Sequence, residues 1–206
     1  MVETIKRSLF TLFLGINFSV IAQSKEELDS LKVQLETVLM KDQTFRRIYL
    51  EAENKLGKDS DAYEYFWEVV ELQDKVLEKE ITTILDKYGW LGISQVGRWA
   101  NTAIWGVLQH GSVASKEKYA PLLKASVVKK ESQPIHYARL IDRMLINTDK
   151  PQLYGTQIDY ASGEAPVFFP IENPEYINRR REEIGLGAIE HFARDREIKW
   201  TIQQKD

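Results

Sequence analysis

The sequence predicts a mainly α-helical protein, a multi-helix bundle with one small antiparallel β-hairpin in its C-terminal half. Apolar residues recur at the spacing of an α-helix over most of residues 24–146, whereas from residue 152 they alternate with polar ones at the spacing of a β-strand. The 206 residues are 43% hydrophobic and 29% charged, which is ordinary for one globular domain. We therefore predict a single helical domain over residues 23–206, with a scaffold over 23–88 and a motif-bearing half over 89–192.

Residues 1–22 have the pattern of a secretory signal peptide. Lys6 and Arg7 precede an apolar run over residues 9–21, and the small residue Ala22 follows as a cleavage site. The run is too short to span a bilayer comfortably, although an uncleaved membrane anchor is the alternative. We expect cleavage after Ala22, a periplasmic or secreted protein, and no stable membrane anchor once the segment is removed.

Charge and cysteine content exclude several classes of function. The net charge is −3, and removing residues 1–22 leaves 26 basic and 30 acidic residues, a net charge of −4. This balance lacks the basic surface that attracts a phosphate backbone, so we expect no nucleic-acid partner. The chain has no cysteine, which excludes disulfides, thiol nucleophiles and a lipoprotein anchor. These features are typical of an exported bacterial protein.

Local capping signals place the first two helices of the scaffold. Ser24 and Glu27 form a capping box, and the apolar spacing that follows continues to about Met40. Asp42 is a residue type that commonly caps a helix N-terminus, so we predict that a second helix starts there and stops at Gly57.

The middle of the chain has three further helical segments. Ser60 starts a long helix that ends at Gly89, a glycine suited to a left-handed C-cap. Ser94 caps the next helix, which runs to His110, and a further helix covers residues 115–128.

The C-terminal part combines helices with the hairpin. We predict a helix over residues 134–146 and a hairpin over 152–171 with its turn at Gly163. Two shorter helices follow over residues 174–185 and 187–199.

Three residues are candidates for catalysis. His110 has the side chain that most often acts as general acid or base near neutral pH, although a buried histidine bonded to a carbonyl is the alternative. Asp142 and Arg143 can form a clamp for a carboxylate or phosphate, because arginine presents a planar fork of donors. A structural ion pair is the alternative for these two residues.

The predicted hairpin holds the ligand-binding candidates. Gln152, Tyr154 and Gln157 surround Gly155, where backbone can approach a ligand closely; ordinary cross-strand pairing is the alternative. Arg180 is the fourth candidate, within a run of three arginines that otherwise reads as a solvated helix face. The sequence has no H-E-x-x-H motif and no P-loop, and we predict neither a metal site nor a cofactor.

Ordered short motifs give the C-terminal half a family resemblance. They are G-W (89–90), V-G (96–97), Q-H (109–110), P-L-L (121–123), L-I-D-R (140–143), Q-x-Y-G-T-Q (152–157), P-I-E-x-P (170–174), N-x-R-R (178–181) and G-L (185–186). Through this ordered set of motifs, the chain resembles a bacterial family of unknown function over residues 89–192. The resemblance implies that the pattern includes His110, Asp142, Arg143, Tyr154 and Gln157, whereas His136 does not belong to it.

Three interpretations of these residues stay open. The first is an exported, metal-independent hydrolase in which His110 moves the proton and Arg143 holds an anionic group. The second is a non-catalytic module that binds a small polar or anionic ligand, and the third is a buried polar network that only fixes the fold. We expect His110, Arg143 and Gln157 to face one pocket or network, with Asp142 paired to an arginine, either Arg143 or Arg139.

Export is the first testable prediction. We expect the mature protein to begin at Gln23, because the apolar run and the small residue Ala22 match the cleavage pattern. N-terminal sequencing and intact mass of the exported protein measure this directly. Recovery of a product that retains Met1 in the membrane fraction would contradict it.

Overall fold

A computed structural model describes residues 24–160 and 165–205. The expected signal peptide over residues 1–22 and the expected turn at Gly163 lie outside the described residues. Within the described part, the chain forms seven α-helices, one short 3-10 helix and one two-stranded antiparallel sheet in the C-terminal half. The predicted fold class, mainly α with one small hairpin, is confirmed.

The elements follow one another in a simple order. The five long helices are α1 (Lys25–Leu56), α2 (Asp61–Tyr88), α3 (Ile93–His110), α4 (Val113–Val128) and α5 (Pro134–Ile146). The strands are β1 (Ile158–Asp159) and β2 (Val167–Phe168), with Ile158 opposite Phe168. A 3-10 turn (Pro174–Tyr176) then leads into α6 (Ile177–Glu183), and α7 (Ile189–Arg194) is the last helix. The two C-terminal helices are shorter than the ranges 174–185 and 187–199 that the sequence predicts.

One continuous helix replaces the two that were expected before Gly57. The predicted start is correct, since Ser24 Oγ accepts a hydrogen bond from Glu27 N at 3.1 Å. The predicted break at Asp42 is wrong, because α1 runs unbroken for 32 residues. Asp42 does not cap a helix; its side chain is buried and bonded to His110, far along the chain.

The start of α3 also differs from the expectation. Gly92 occupies the cap position, and its N–H donates to Gln95 Oε1 at 2.8 Å. Ser94 lies inside the helix, where its N–H donates to Glu131 Oε2 at 2.8 Å. The sequence-based assignment of Ser94 as the cap is therefore wrong by two residues.

The first three helices pack side by side. α1 and α2 are antiparallel, since Tyr88 at the end of α2 donates to Glu27 at the start of α1 at 2.8 Å. α1 and α3 run in the same direction, because Lys32 lies against Gly97 whereas Asp42 reaches Gly106. α4 and α5 pack together, and α5 also packs on α3. One core thus joins both halves, and its fully buried residues include Leu35, Leu77, Ile81, Leu91, Ile104, Leu108, Leu123 and Leu140.

The loop between α5 and β1 is held against the C-terminal helices. Gly155 adopts a left-handed φ of 65° in this loop, a conformation that L side chains rarely adopt. A Cβ added at Gly155 would lie 2.9 Å from Cδ1 of both Ile177 and Ile189. A larger residue at this position therefore requires the buried side chains of Ile177 and Ile189 to shift.

This contact predicts a large effect for Gly155→Ala. Overpacking and the left-handed backbone together are expected to cost about 2–4 kcal/mol. For a domain of this size, thermal unfolding should then shift down by roughly 5–15 °C.

Gly57→Ala is the matched control. Gly57 also has a positive φ, 85°, but no atom lies within 4 Å of an added Cβ, so only the backbone strain remains. Equal shifts for the two variants would contradict the packing explanation for Gly155.

Candidate functional site

A cleft of about 500 Å³ lies between α1, α3 and α5. Its lining residues are Leu39, Gln43, Arg47, Arg98, Trp99, Thr102, Trp105, Gly106, His110 and Arg139. Among the described residues, the lining thus combines three arginines and two tryptophans with one histidine and includes no carboxylate. Of the residues that the sequence analysis proposed for the site, only His110 lies here.

His110 is oriented by a buried carboxylate. Its Nδ1 lies 2.9 Å from Asp42 Oδ1, and Asp42 is only 1% exposed. An ionised carboxylate only accepts hydrogen bonds, so this contact places the proton on Nδ1 and leaves Nε2 as an acceptor. Nε2 has no hydrogen-bond partner in the described part of the chain, and the imidazole is 27% exposed. This is the arrangement of a base whose orientation a third group fixes.

Further donors keep Asp42 ionised. Gln43 Nε2 donates to Asp42 Oδ2 at 2.7 Å, and Arg46 donates to the Asp42 carbonyl at 3.0 Å. Arg46 is itself paired with Asp74 of α2 at 2.6 Å. Burial acts to raise the pKa of the Asp42 carboxyl, but hydrogen bonding and charge from its neighbours, led by His110, hold that pKa below its ordinary value.

Asp42 is the site residue that the sequence analysis missed. The apolar positions 28, 31, 35 and 38 predict the next buried position at 42, followed by Phe45, with no Gly or Pro between residues 25 and 56. An aspartate in an uninterrupted apolar stripe indicates a buried, partnered carboxylate. Asp42 lies directly against Gly106 of α3, since a Cβ at Gly106 would be in van der Waals contact with Asp42 Oδ2 at 3.6 Å.

The segment after His110 is fixed from two sides. Glu78 of α2 accepts hydrogen bonds from Ser112 N at 2.9 Å and from Ser112 Oγ at 2.6 Å. From α4, the fully buried Lys116 donates its Nζ to the Gly111 carbonyl. Burial lowers the pKa of Lys116 to about 8, while the nearby Glu78 opposes this change. The end of α3, and His110 with it, is thereby held in place.

A stacked pair forms the wall of the cleft on the side of α5. The rings of Trp105 and His136 lie 4.1 Å apart with an interplanar angle of 2°. The Arg139 guanidinium lies 5.9 Å from the centroid of the Trp105 ring. Burial lowers the pKa of His136 to about 4, with added effects from Arg139 and Arg98, so His136 is neutral near pH 7. Both arginines therefore lie close to this stacked pair.

Three buried polar atoms around this wall have no hydrogen-bond partner in the described part of the chain. They are Trp105 Nε1, His136 Nδ1 and Gln109 Oε1. Gln109 follows Trp105 by one helical turn, and its side chain is buried. Buried polar atoms nearly always find partners, so these three atoms are positions where an internal water molecule would complete the hydrogen bonding.

Asp142 belongs to a different, closed network. Its Oδ1 accepts the backbone N–H groups of Leu153 and Tyr154 at 2.8 and 2.9 Å. Its Oδ2 accepts both the N–H and the hydroxyl of Thr156, at 2.9 and 2.8 Å. The carboxylate is 0% exposed and all its accepting positions face donors, so it anchors the loop 153–156 to α5.

The remaining hairpin candidates complete this network. Gln152 accepts from Gln157 N at 2.9 Å and donates to the Gln157 carbonyl at 2.9 Å. Tyr154 is buried, which raises the pKa of its phenol to about 12. Arg180 donates to the Leu153 carbonyl at 2.9 Å. These side chains bond to the loop itself instead of opening to a cleft.

The expected convergence of the candidates is not found. Arg143 is exposed and has neither an ion pair nor a hydrogen bond in the described part of the chain, and it lies near Lys116. Asp142 pairs with neither Arg143 nor Arg139, since backbone and hydroxyl donors already occupy its oxygens. His110 therefore stands apart from the network of Asp142 and Gln157.

Comparison with known proteins identifies a family. Its model matches residues 30–205 and carries the description of a family of unknown function. The chain belongs to the DUF6624 family. The resemblance seen in the sequence is confirmed as membership of a family of unknown function, whereas the bacterial origin and the individual motifs stay predictions. The DUF6624 match starts well before residue 89, so it includes Asp42 as well as His110.

Searches of curated proteins and of solved structures found no match. Within residues 24–160 and 165–205, none of the helices has the length and apolar character needed to cross a membrane. In the same part of the chain, histidine and acidic side chains form no group of three that could hold a metal ion.

The closed network predicts a strong effect for Asp142→Asn. The new amide would direct two N–H groups at backbone donors, so buried donors lose their acceptor. We expect the free energy of unfolding, measured by urea titration, to fall by about 2–4 kcal/mol.

Asp149→Asn is the control, because Asp149 is exposed and its side chain makes no hydrogen bond in the described structure. We expect that change to stay within about 0.5 kcal/mol of the parent protein. An Asp142→Asn protein as stable as this control would show that the network does not anchor the loop.

Proposed function

We propose that this protein is a metal-independent hydrolase for a small anionic substrate, with His110 as its general base. One observation supports the proposal most directly: a histidine oriented by a buried carboxylate opens into a cleft with three arginines. The Asp42 contact at 2.9 Å leaves Nε2 on the accessible side of the imidazole. The arginines lining the cleft have no acidic partner in the described residues.

Water is the nucleophile in this proposal. Thr102 has the only hydroxyl among the residues that line the cleft in the described structure, and it precedes His110 by eight residues on α3. Eight residues correspond to about 12 Å along a helix, which is beyond hydrogen-bond reach of the imidazole. A mechanism in which His110 activates a serine or threonine hydroxyl as the nucleophile therefore has no support among the residues that line the cleft.

In the proposed reaction, the histidine, the aspartate and the arginines each have a separate role. His110 Nε2 takes a proton from water as the oxygen attacks the acyl or phosphoryl centre. Asp42 stabilises the imidazolium that forms, as the carboxylate of a catalytic triad does. The bond to the leaving group then breaks, and the leaving group receives the proton from Nε2. The arginines Arg47, Arg98 and Arg139 hold the anionic group of the substrate.

A non-catalytic binding module is the second candidate. One observation favours it: His110 ends α3, and the end of a helix presents carbonyl groups instead of the N–H groups that form an oxyanion hole. The arginines would then bind a small polar or anionic ligand without turnover. In both cases we propose, from the pattern of residues 1–22, that the protein acts in the periplasm or outside the cell.

Ester hydrolysis in the presence of EDTA tests the proposal. We expect turnover of mono-p-nitrophenyl succinate, which carries a carboxylate, or of p-nitrophenyl phosphate, and a lower rate for the neutral p-nitrophenyl acetate. His110→Gln should lower kcat/KM for the anionic ester by about 10²–10⁴-fold, the usual contribution of a general base.

His191→Gln is the matched control, because His191 is exposed on α7 and contacts Arg194 instead of the cleft. Equal loss in both variants would contradict the assignment of His110. Binding of the anionic ester without turnover would establish the binding module in place of the hydrolase. If the protein neither binds nor hydrolyses any of the esters, the proposal fails.

A further inference from the structure

We infer that the ligand of this cleft carries a ring with a flat apolar face next to its anionic group, and that this ring lies between Trp99 and Trp105. The inference rests on the proposed anion site and specifies the substrate class. An aromatic ring and a sugar ring share this chemistry, since both offer a flat face of C–H or π character to an indole.

The exposure of Trp99 is the first observation. Its side chain is 62% exposed although it lines a concave cleft. Among the tryptophans in the described residues, none of the others reaches this exposure. A large aromatic surface left in water at a cleft is typical of a binding site, because covering it with a ligand is favourable.

The arrangement around α3 is the second observation. From their spacing, Trp105 and Trp99 lie about 120° apart around the helix axis. Between them lie Thr102 and Gly106, which are small and form the floor of the cleft. One face of Trp105 is covered by His136 at 4.1 Å. Trp99 and Trp105, with small side chains between them, therefore present aromatic surface on both sides of this part of the cleft, called the slot below, which suits a ligand with a flat ring.

The positive charges lie near one side of this slot. Arg139 lies over Trp105 at 5.9 Å, and Arg98 starts the same row of α3 that Thr102 continues. Both arginines are close enough to His136 to oppose its protonation. Two guanidinium groups near one stacked pair favour an anion with several oxygens, such as phosphate or carboxylate.

The position of His110 matches the length of such a ligand. His110 follows Trp105 by five residues, which is about 7–8 Å along α3. A six-membered ring with a substituent at each end has a comparable length. With its ring at Trp105 and its anionic group at Arg139, such a ligand would extend along α3 towards His110.

Calorimetric titration of the full chain with three phosphate monoesters tests the inference. The probes are phenyl phosphate with an aromatic ring, glucose 1-phosphate with a sugar ring, and methyl phosphate with no ring. We expect at least one ring-bearing ester to bind about fivefold or more tightly than methyl phosphate, as stacking on an aromatic side chain predicts. The tighter of the two identifies the type of ring.

Trp99→Ala and Tyr65→Ala are the matched variants. Both side chains are more than half exposed, at 62% and 65%, so neither change should unfold the protein. We expect Trp99→Ala to remove most of the preference for the ring while the Kd of methyl phosphate stays the same. Tyr65→Ala, which lies on α2 outside the residues that line the cleft, should change neither value.

The outcomes separate this inference from the proposed anion site. Equal affinity for all three esters, or a preference for the ring that survives in Trp99→Ala, would overturn the ring inference and leave the anion site intact. Failure of all three esters to bind, or affinities that are unchanged in Arg139→Gln, would overturn the anion site and the ring inference with it.

Discussion

The buried carboxylate of Asp42 links three helices, and the geometry of the cleft depends on it. Burying a charge is costly unless hydrogen bonds and opposite charge surround it. Asp42 meets that condition through His110 of α3 and through Gln43 and Arg46 of α1, and Arg46 continues the chain of contacts to Asp74 of α2. These partners fix how α1 and α3 align, and the same contacts determine which nitrogen of His110 carries the proton.

Two groups of polar side chains, the network around Asp142 and the lining of the cleft at His110, differ in whether their hydrogen bonds are satisfied within the protein. In the Asp142 network, each oxygen of the carboxylate accepts two hydrogen bonds, and Gln152 is bonded at both ends of its amide. In the cleft, His110 Nε2 has no hydrogen-bond partner and the three arginines form no ion pair among the described residues, although Arg139 lies over the Trp105 ring. A closed network stabilises a loop, whereas polar groups without partners at an open cleft are free to interact with water or a ligand.

The difference between the closed network and the cleft changes which motif residues are candidates for ligand binding. Of the five residues that the resemblance includes, Asp142, Tyr154 and Gln157 belong to the closed network, Arg143 is exposed, and only His110 reaches the cleft. The motifs singled out in the sequence therefore contain mostly residues that shape the loop after α5. Asp42, which orients His110, lies outside those motifs, in α1.

The sequence by itself determined the elements whose signals are local. The capping serines Ser24 and Ser60 and the glycines that end α1 and α2 each act within one helical turn, and the change of apolar spacing after residue 152 marks the hairpin. It also singled out His110, which lines the cleft. The tertiary structure alone decided which groups meet, because Asp42 and His110 are 68 residues apart. The apolar spacing of α1 can indicate that position 42 is buried, but it cannot identify His110 as the partner, because that contact forms only when α3 packs against α1.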